Sequence, residues 1–290
     1  MDELKKIADK ISAQNRTPLE DFDGFTPEEM HYMIYYPYSE QCPVKLRDDL
    51  DLNILKQSPI FNIVLDLLHY INQQDGLKLT PKGNLQQKVM RELYDKKYLP
   101  EEIIESGIAN IRTEQDWMTL HIVKIVLKFS GIIRQTKGKL HLVKKWKKKF
   151  ESNEYCDIYI QFFKYFTTEF NWAYNDGYEN EETGQTGFLF LLYLVSKYGQ
   201  DFRDIHFYTE KYFKAFPMLT IEDKTFIDNN RYNYGETAID IRFFERFAER
   251  FGLVEIRINK AKSYFQREIE IKQTSFFVES LHFSRMAINT

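Results

Sequence analysis

Gly76-Leu77-Lys78-Leu79-Thr80-Pro81-Lys82-Gly83-Asn84-Leu85 follows a helical stretch, and fifty-five residues later Gly131-Ile132-Ile133-Arg134-Gln135-Thr136-Lys137-Gly138-Lys139-Leu140 follows another. Slid over one another, the two stretches match Gly76 with Gly131, Lys82-Gly83 with Lys137-Gly138, and Leu85 with Leu140. The helices before them, Leu65 to Gln74 and Leu120 to Phe129, match Leu65, Leu67, Leu68 and Ile71 with Leu120, Ile122, Val123 and Val126. A weaker third copy runs from a helix over Ile239 to Phe251, through Gly252-Leu253-Val254-Glu255-Ile256-Arg257-Ile258, to a returning strand over Phe265 to Ile271. Each copy reads the same way. A helix closes on a glycine, a short strand leaves, a turn reverses it, and a second strand or helix returns. That is the order of a winged helix, although helix, glycine and hairpin also recur in any α+β domain. The expected fold class is therefore mainly α with short β-hairpins (α+β), as tandem winged-helix-like units around a helical middle.

The periodicity fills in the rest. Ile60, Ile63, Val64, Leu67, Leu68 and Ile71 repeat every 3.6 residues, which predicts an amphipathic helix from Ile60 to Gln74 that Gly76 ends. Thr26-Pro27-Glu28-Glu29 has a capping hydroxyl, a proline for the first helical position and acids for the first turn, so a helix over Pro27 to Tyr36 is expected, stopped by Pro37. An extended connection through 41–49 follows. Pro100 to Gly107 predicts a further helix, and Thr113 a cap for the next. Helices are expected near Glu154 to Tyr174, Gly187 to Tyr198 and Phe202 to Phe216, with the polar 175–184 as an exposed loop. Domains are drawn as an acidic arm with one helix (1–55), two winged-helix-like repeats (56–150), and a helical region ending in a third unit (151–290).

Composition narrows the class. The chain has 290 residues with 43% hydrophobic and 29% charged side chains, 12 Gly and 8 Pro, which excludes disordered, collagen-like and low-complexity proteins. Two cysteines, Cys42 and Cys156, make neither a disulfide framework nor a four-thiolate zinc site. The longest uncharged apolar run, Gly187 to Val195, is about half a membrane span. These features lead to the expectation of a cytoplasmic protein with no membrane association. Aromatic residues make up 16%, and Phe162, Phe163, Tyr165, Phe166 and Phe170, like Phe243, Phe244, Phe247 and Phe251, fall at helical spacing, which predicts core packing.

Phe22-Asp23-Gly24-Phe25-Thr26-Pro27-Glu28-Glu29-Met30-His31 with Ile34-Tyr35-Tyr36-Pro37-Tyr38, together with Gly76 to Leu85, resembles the openings of a group of bacterial proteins. Some of these carry a C-terminal cysteine-rich zinc motif of the SEC-C type. The last cysteine here is Cys156, so the resemblance implies a bacterial cytoplasmic protein and carries over no zinc role and no active site.

Charge singles out one surface. Lys137, Lys139, Lys144, Lys145, Lys147, Lys148 and Lys149 put seven cations into thirteen residues without an acid, in a chain of net charge −3. On a hairpin and the segment after it, these cations would meet a phosphate backbone, with Trp146 among them to stack on a base or dock into the core. A lysine run can equally be a solvated face. Glu268-Ile269-Glu270-Ile271-Lys272 is the candidate for an enzyme, because two carboxylates and a lysine, completed by Asp240 or Glu255, could hold Mg²⁺ as in metal-dependent nucleases. Alternation on a half-buried strand would give the same letters. The six histidines show no metal-ligand spacing, and no nucleophile elbow, phosphate loop or dinucleotide glycine pattern occurs. A DNA- or RNA-binding protein without cofactor is expected first, a protein-interaction scaffold second and a nuclease third.

Overall fold

The structure, a computed structural model, describes residues 2–73, 76–220, 226–227, 230–231, 234–259 and 268–284. Residues 74–75, at the end of the first expected helix, and 265–267, at the start of the last expected strand, lie outside the described residues. In chain order come α1 (Asp2–Asn15), α2 (Pro27–Tyr35) and β1 (Val44–Leu46). The next stretch holds α3 (Leu52–Leu55), α4 (Pro59–Asn72), β2 (Leu77–Lys78), α5 (Gln87–Tyr94), α6 (Glu102–Glu105), a 3₁₀ turn (Glu114–Asp116), α7 (Met118–Phe129), β3 (Ile133–Thr136), β4 (Lys139–Leu142), α8 (Lys144–Glu151) and α9 (Tyr155–Thr168). Then follow α10 (Phe188–Tyr198), β5 (Arg203–Asp204), α11 (Ile205–Ala215), β6 (Phe226–Ile227), β7 (Asn230–Arg231) and α12 (Tyr234–Ile239), which runs into a π-helical segment (Asp240–Glu249). The last elements are β8 (Val254–Asn259), β9 (Glu268–Gln273), α13 (Ser275–Ser280) and β10 (Leu281–Phe283). The chain is an α+β fold with small sheets, as its hydrophobic periods predict.

Two compact units divide these elements: 48–170 with 250–252, and 1–47 with 171–249 and 253–290. The sequence-based breaks at 55/56 and 150/151 both fall inside the unit built from 48–170. The core of this unit comes from α4 and α7, whose Phe61, Ile63, Val64, Leu67, Leu68 and Leu120, Val123, Val126, Leu127 are all buried. It continues into α9, where Tyr159, Phe162, Phe163 and Phe166 surround Phe251 at ring distances of 4.9–6.4 Å. Ile60 N–H donates to the carbonyl of Arg250 at 2.9 Å, so 250–252 is tied to the start of α4 by its backbone as well.

The echoed segments do not build two separate hairpins. They share one antiparallel sheet of order β2-β4-β3, with Leu77 opposite Leu140 and Lys78 opposite Lys139. The reason is local. In the second copy Lys137 (φ 48°) and Gly138 (φ 72°) both take left-handed backbone, which makes a two-residue turn that joins β3 to β4 in register. In the first copy Asn84 O accepts from Thr80 N–H and the Thr80 hydroxyl accepts from Asn84 N–H, so the chain rounds a wider loop. Leu85 then enters the core, and Val89, Met90, Leu93 and Tyr94 repeat at helical spacing in α5 instead of returning as a strand. Gly76, at φ 84°, lies beneath the His141 ring, where a Cβ would come within 2.5 Å of the imidazole.

The other unit repeats this connectivity. Helix α10, short strand β5, helix α11, helix α12 with its π segment, and strands β8 and β9 follow in turn, and the sheet order is again first, third, second: β5-β9-β8. Thr26 caps α2 as expected: it accepts from Glu29 N–H at 3.1 Å, and the Glu29 carboxylate accepts from Thr26 N–H at 2.8 Å. The expected connection after Pro37 includes β1, which pairs with β10. Phe188 to Val195 are all buried, and the fully buried Arg242 guanidinium is bidentate on Asp176, at 2.6 and 3.0 Å, while donating to the carbonyls of Asn180, Thr183 and Tyr178. Arg242 therefore organises 175–184 from inside. Phe243, Phe244, Phe247 and Phe251 are buried, as expected of aromatic core packing.

Candidate nucleic-acid interface

The seven lysines fall on three pieces of the 48–170 unit. Lys137 is exposed in the β3–β4 turn, Lys139 is half-buried at the start of β4, and the other five are on α8. At 100° per residue, Lys144, Lys145, Lys147, Lys148 and Lys149 cover a broad outward arc of α8, while Trp146 and Phe150 point the other way. Trp146 is 6% exposed and Phe150 4%. Phe150 packs edge-on against His69 of α4, with ring centroids 4.8 Å apart. Trp146 is thus an anchor of α8 that turns the lysines outward, with Lys145 Nζ 4.9 Å from its ring centroid.

The lysines are not equivalent. Lys149 Nζ is ion-paired to Asp157 and to Glu154, and these two carboxylates hold its ammonium above the usual lysine range. Lys147 lies 3.8 Å from Glu151, one turn on. Lys144, Lys145 and Lys148 are exposed on the same arc.

Pleat and register add residues that the lysine run did not single out. Opposite residues in an antiparallel pair share a face. The pairs Lys78↔Lys139 and Thr136↔Lys139 form one row, and Arg134↔His141 forms the next. Lys78 and Arg134 are exposed, and the opposite face sends Ile133, Leu140 and Leu142 into the core. The outer face of the sheet is therefore cationic from Lys78 to Arg134, with Lys137 at its tip. From Trp117 to Phe150 the chain contains ten Lys and Arg and no Asp or Glu.

Helix α7, which precedes this hairpin, presents little. From Met118 to Leu127 every residue is buried except Met118, His121 and Ile125, which are half-buried. Its Lys124 is turned inward, bonding Glu114 Oε1 at 2.6 Å and the Gly83 carbonyl at 3.0 Å. Glu114 is fully buried, also accepts from Leu85 N–H, and lies 3.3 Å from His121 Nδ1. Thr113 caps the 3₁₀ turn that carries Glu114, rather than α7 itself. This network fastens the loop after β2 to α7.

The nuclease candidates lie elsewhere, on the other unit's sheet. Glu268, Glu270 and Lys272 share a face, but the residues opposite are Asn259, Arg257 and Glu255, and Arg257 lies 3.7 Å from Glu270. Asp240 is buried in the π segment. Among the described residues no three His, Cys, Asp or Glu converge to hold a metal ion, and the register sets Glu270 against Arg257 and Lys272 against Glu255 across the pleat. Among the described residues no helix is long and apolar enough to cross a membrane.

The family model described as the Y4jL N-terminal domain matches residues 56–154, from just before α4 to just after α8. It takes in the phrase at 76–85 and begins after the one at 22–38. No curated protein and no solved structure matches the chain.

Proposed function

We propose that this chain is a nucleic-acid-binding or regulatory protein of the cytoplasm whose contact surface is the cationic face of the 48–170 unit. The observation that carries this reading is the row of Lys78, Lys139 and Arg134 on the outer face of the sheet with Lys137 in its turn, together with the exposed Lys144, Lys145 and Lys148 of α8, which begins two residues after β4. The helix, strand, helix, helix, two-strand order with the last strand central supports a winged-helix-like unit. Charge division supports it too. The 48–170 unit with 250–252 has 20 Lys and Arg against 16 Asp and Glu, and the rest of the chain has 20 against 27. Cations outnumber acids only where the proposed face lies, and attraction of a polyanion to it would fall steeply with salt.

Fluorescence anisotropy with labelled duplex DNA, single-stranded DNA and RNA tests this, with Lys144→Glu/Lys145→Glu/Lys148→Glu alongside. Binding at low salt that the variant loses supports the reading, and no binding to any of the three refutes it. A protein-interaction scaffold is the second reading, favoured by the ion pairs that occupy Lys147 and Lys149 and by the buried Trp146. It gains if no nucleic acid binds and a protein partner does.

A further inference from the structure

We infer that the 48–170 unit takes a nucleic-acid duplex by its backbone, through the outer face of β2-β4-β3 together with α8, and does not read bases with α7. The inference rests on the proposed nucleic-acid reading and deepens it.

Reading base edges requires an element that offers polar side chains to a groove. Helix α7 offers little of this kind, since no side chain from Met118 to Leu127 is exposed, Lys124 is held inward by Glu114 and the Gly83 carbonyl, and the exposed Lys128 of its last turn donates to Gln135 of β3 at 3.3 Å. The sheet's outer face offers long cations, Lys78, Lys139 and Arg134, beside Thr136 and His141. Lysine and arginine in rows suit phosphates, which fix position without reading sequence. Two strand spacings of about 4.8 Å separate Lys78 from the β3 edge, and Lys139 and Lys144 are at most about 17 Å of chain apart. The sheet, two strand spacings across, is commensurate with a groove about 6 or 12 Å wide, whose phosphate-lined edges it can meet.

Single-stranded binders instead carry aromatic platforms for unstacked bases. Strands β2, β3 and β4 contain no Phe, Tyr or Trp, and the one Trp among the lysines, Trp146, is buried beneath α8. The other unit supplies an internal contrast. Its sheet has the same strand order, yet the corresponding outer row is Asp204, Glu270 and Arg257, a mixed set that a phosphate backbone would not favour. The same connectivity is therefore cationic in one unit and mixed, with acids in excess, in the other.

The test uses the full chain and anisotropy at fixed low salt, with three short duplexes of unrelated sequence and their separated strands. The duplexes should bind within about threefold of one another, far from the discrimination of a base reader, and the single strands about tenfold or more weaker. Lys78→Ala/Arg134→Ala should weaken duplex binding about tenfold or more at unchanged thermal midpoint. Phe129→Ser, at the exposed end of α7, should leave it unchanged. A preference of about tenfold or more for one duplex, or for single strands, overturns the inference and leaves the nucleic-acid reading standing. Binding to none of the probes overturns that reading itself.

Discussion

Gly76 and Gly131 are equivalent in the sequence echo, and substituting each by alanine should separate two physical costs. Both have left-handed backbone, with φ of 84° and 68°. An alanine there loses about 1–2 kcal/mol from its Cβ alone. At Gly131 nothing lies within 4 Å of the added Cβ, so Gly131→Ala should cost only that. At Gly76 the Cβ would stand 2.5 Å from His141 Cε1 and 2.8 Å from the Leu140 carbonyl, where ordinary contact begins near 3.4 Å. The imidazole can swing away, but the carbonyl belongs to β4, so relief requires β2 and β4 to separate. Overpacking of this kind adds about 1–3 kcal/mol, bringing Gly76→Ala to about 2–5 kcal/mol. Urea unfolding followed by tryptophan fluorescence measures both, since Trp117 and Trp146 belong to the same unit as the two glycines. Hydrogen exchange should localise the Gly76→Ala effect to 77–79 and 139–142. Equal losses for the two variants, or a larger one at Gly131, would refute the reasoning.

Other substitutions probe the remaining supports. Trp146→Ala should cost about 3–5 kcal/mol by emptying the site beneath α8, whereas Trp146→Phe should keep nucleic-acid affinity within about threefold, because the ring does not reach a base; calorimetry and anisotropy check the pair. Glu114→Ala strands the buried Lys124 ammonium and should cost about 3–5 kcal/mol, with Glu114→Ala/Lys124→Met recovering much of the loss in urea. Arg242→Ala removes the bidentate partner of the buried Asp176, leaving it to Arg246 at 3.9 Å, and should make 175–184 the first site cut in limited proteolysis, a change that wild-type and Lys214→Ala protein should not show. His206 Nδ1 is 2.8 Å from Glu236, and that contact raises the imidazole above its usual titration range despite some opposing burial. A raised folded value means its contribution is complete below about pH 6.5 and disappears as pH climbs through the raised value. The pair is largely exposed, so Glu236→Gln should lower stability by no more than about 1 kcal/mol at pH 5.5 and by less at pH 8.5, as urea midpoints will report.

The readable part of the fold was its amphipathic part. Helix α4 announced itself through Ile60, Ile63, Val64, Leu67, Leu68 and Ile71, and α2 through a Thr26 to Glu29 capping box that forms as the letters require. The Lys137-Gly138 turn was legible for the same reason, because two left-handed residues leave a hairpin few other choices. Long-range pairing was not. Two-residue strands such as β2 and β5 have no period, and only the folded chain shows that Lys78 faces Lys139 or that β5 joins β9. The lysine run showed a charge but not its orientation. Burial of Trp146 and Phe150 turns the α8 lysines outward, while Glu154 and Asp157, both beyond the run, engage Lys149. The network around Glu114 joins residues up to 41 apart, from Gly83 to Lys124, and no local spacing signals it.

The central claim, that phosphates meet the outer face of β2-β4-β3, is tested most directly by the salt dependence of duplex binding in wild type and in Arg134→Ala/Lys139→Ala. Each phosphate contact contributes about 0.9 to the slope of log affinity against log salt, so the double variant should bind with a slope smaller by about two. An unchanged slope, with affinity and thermal midpoint also unchanged, would place the contact elsewhere and contradict the account.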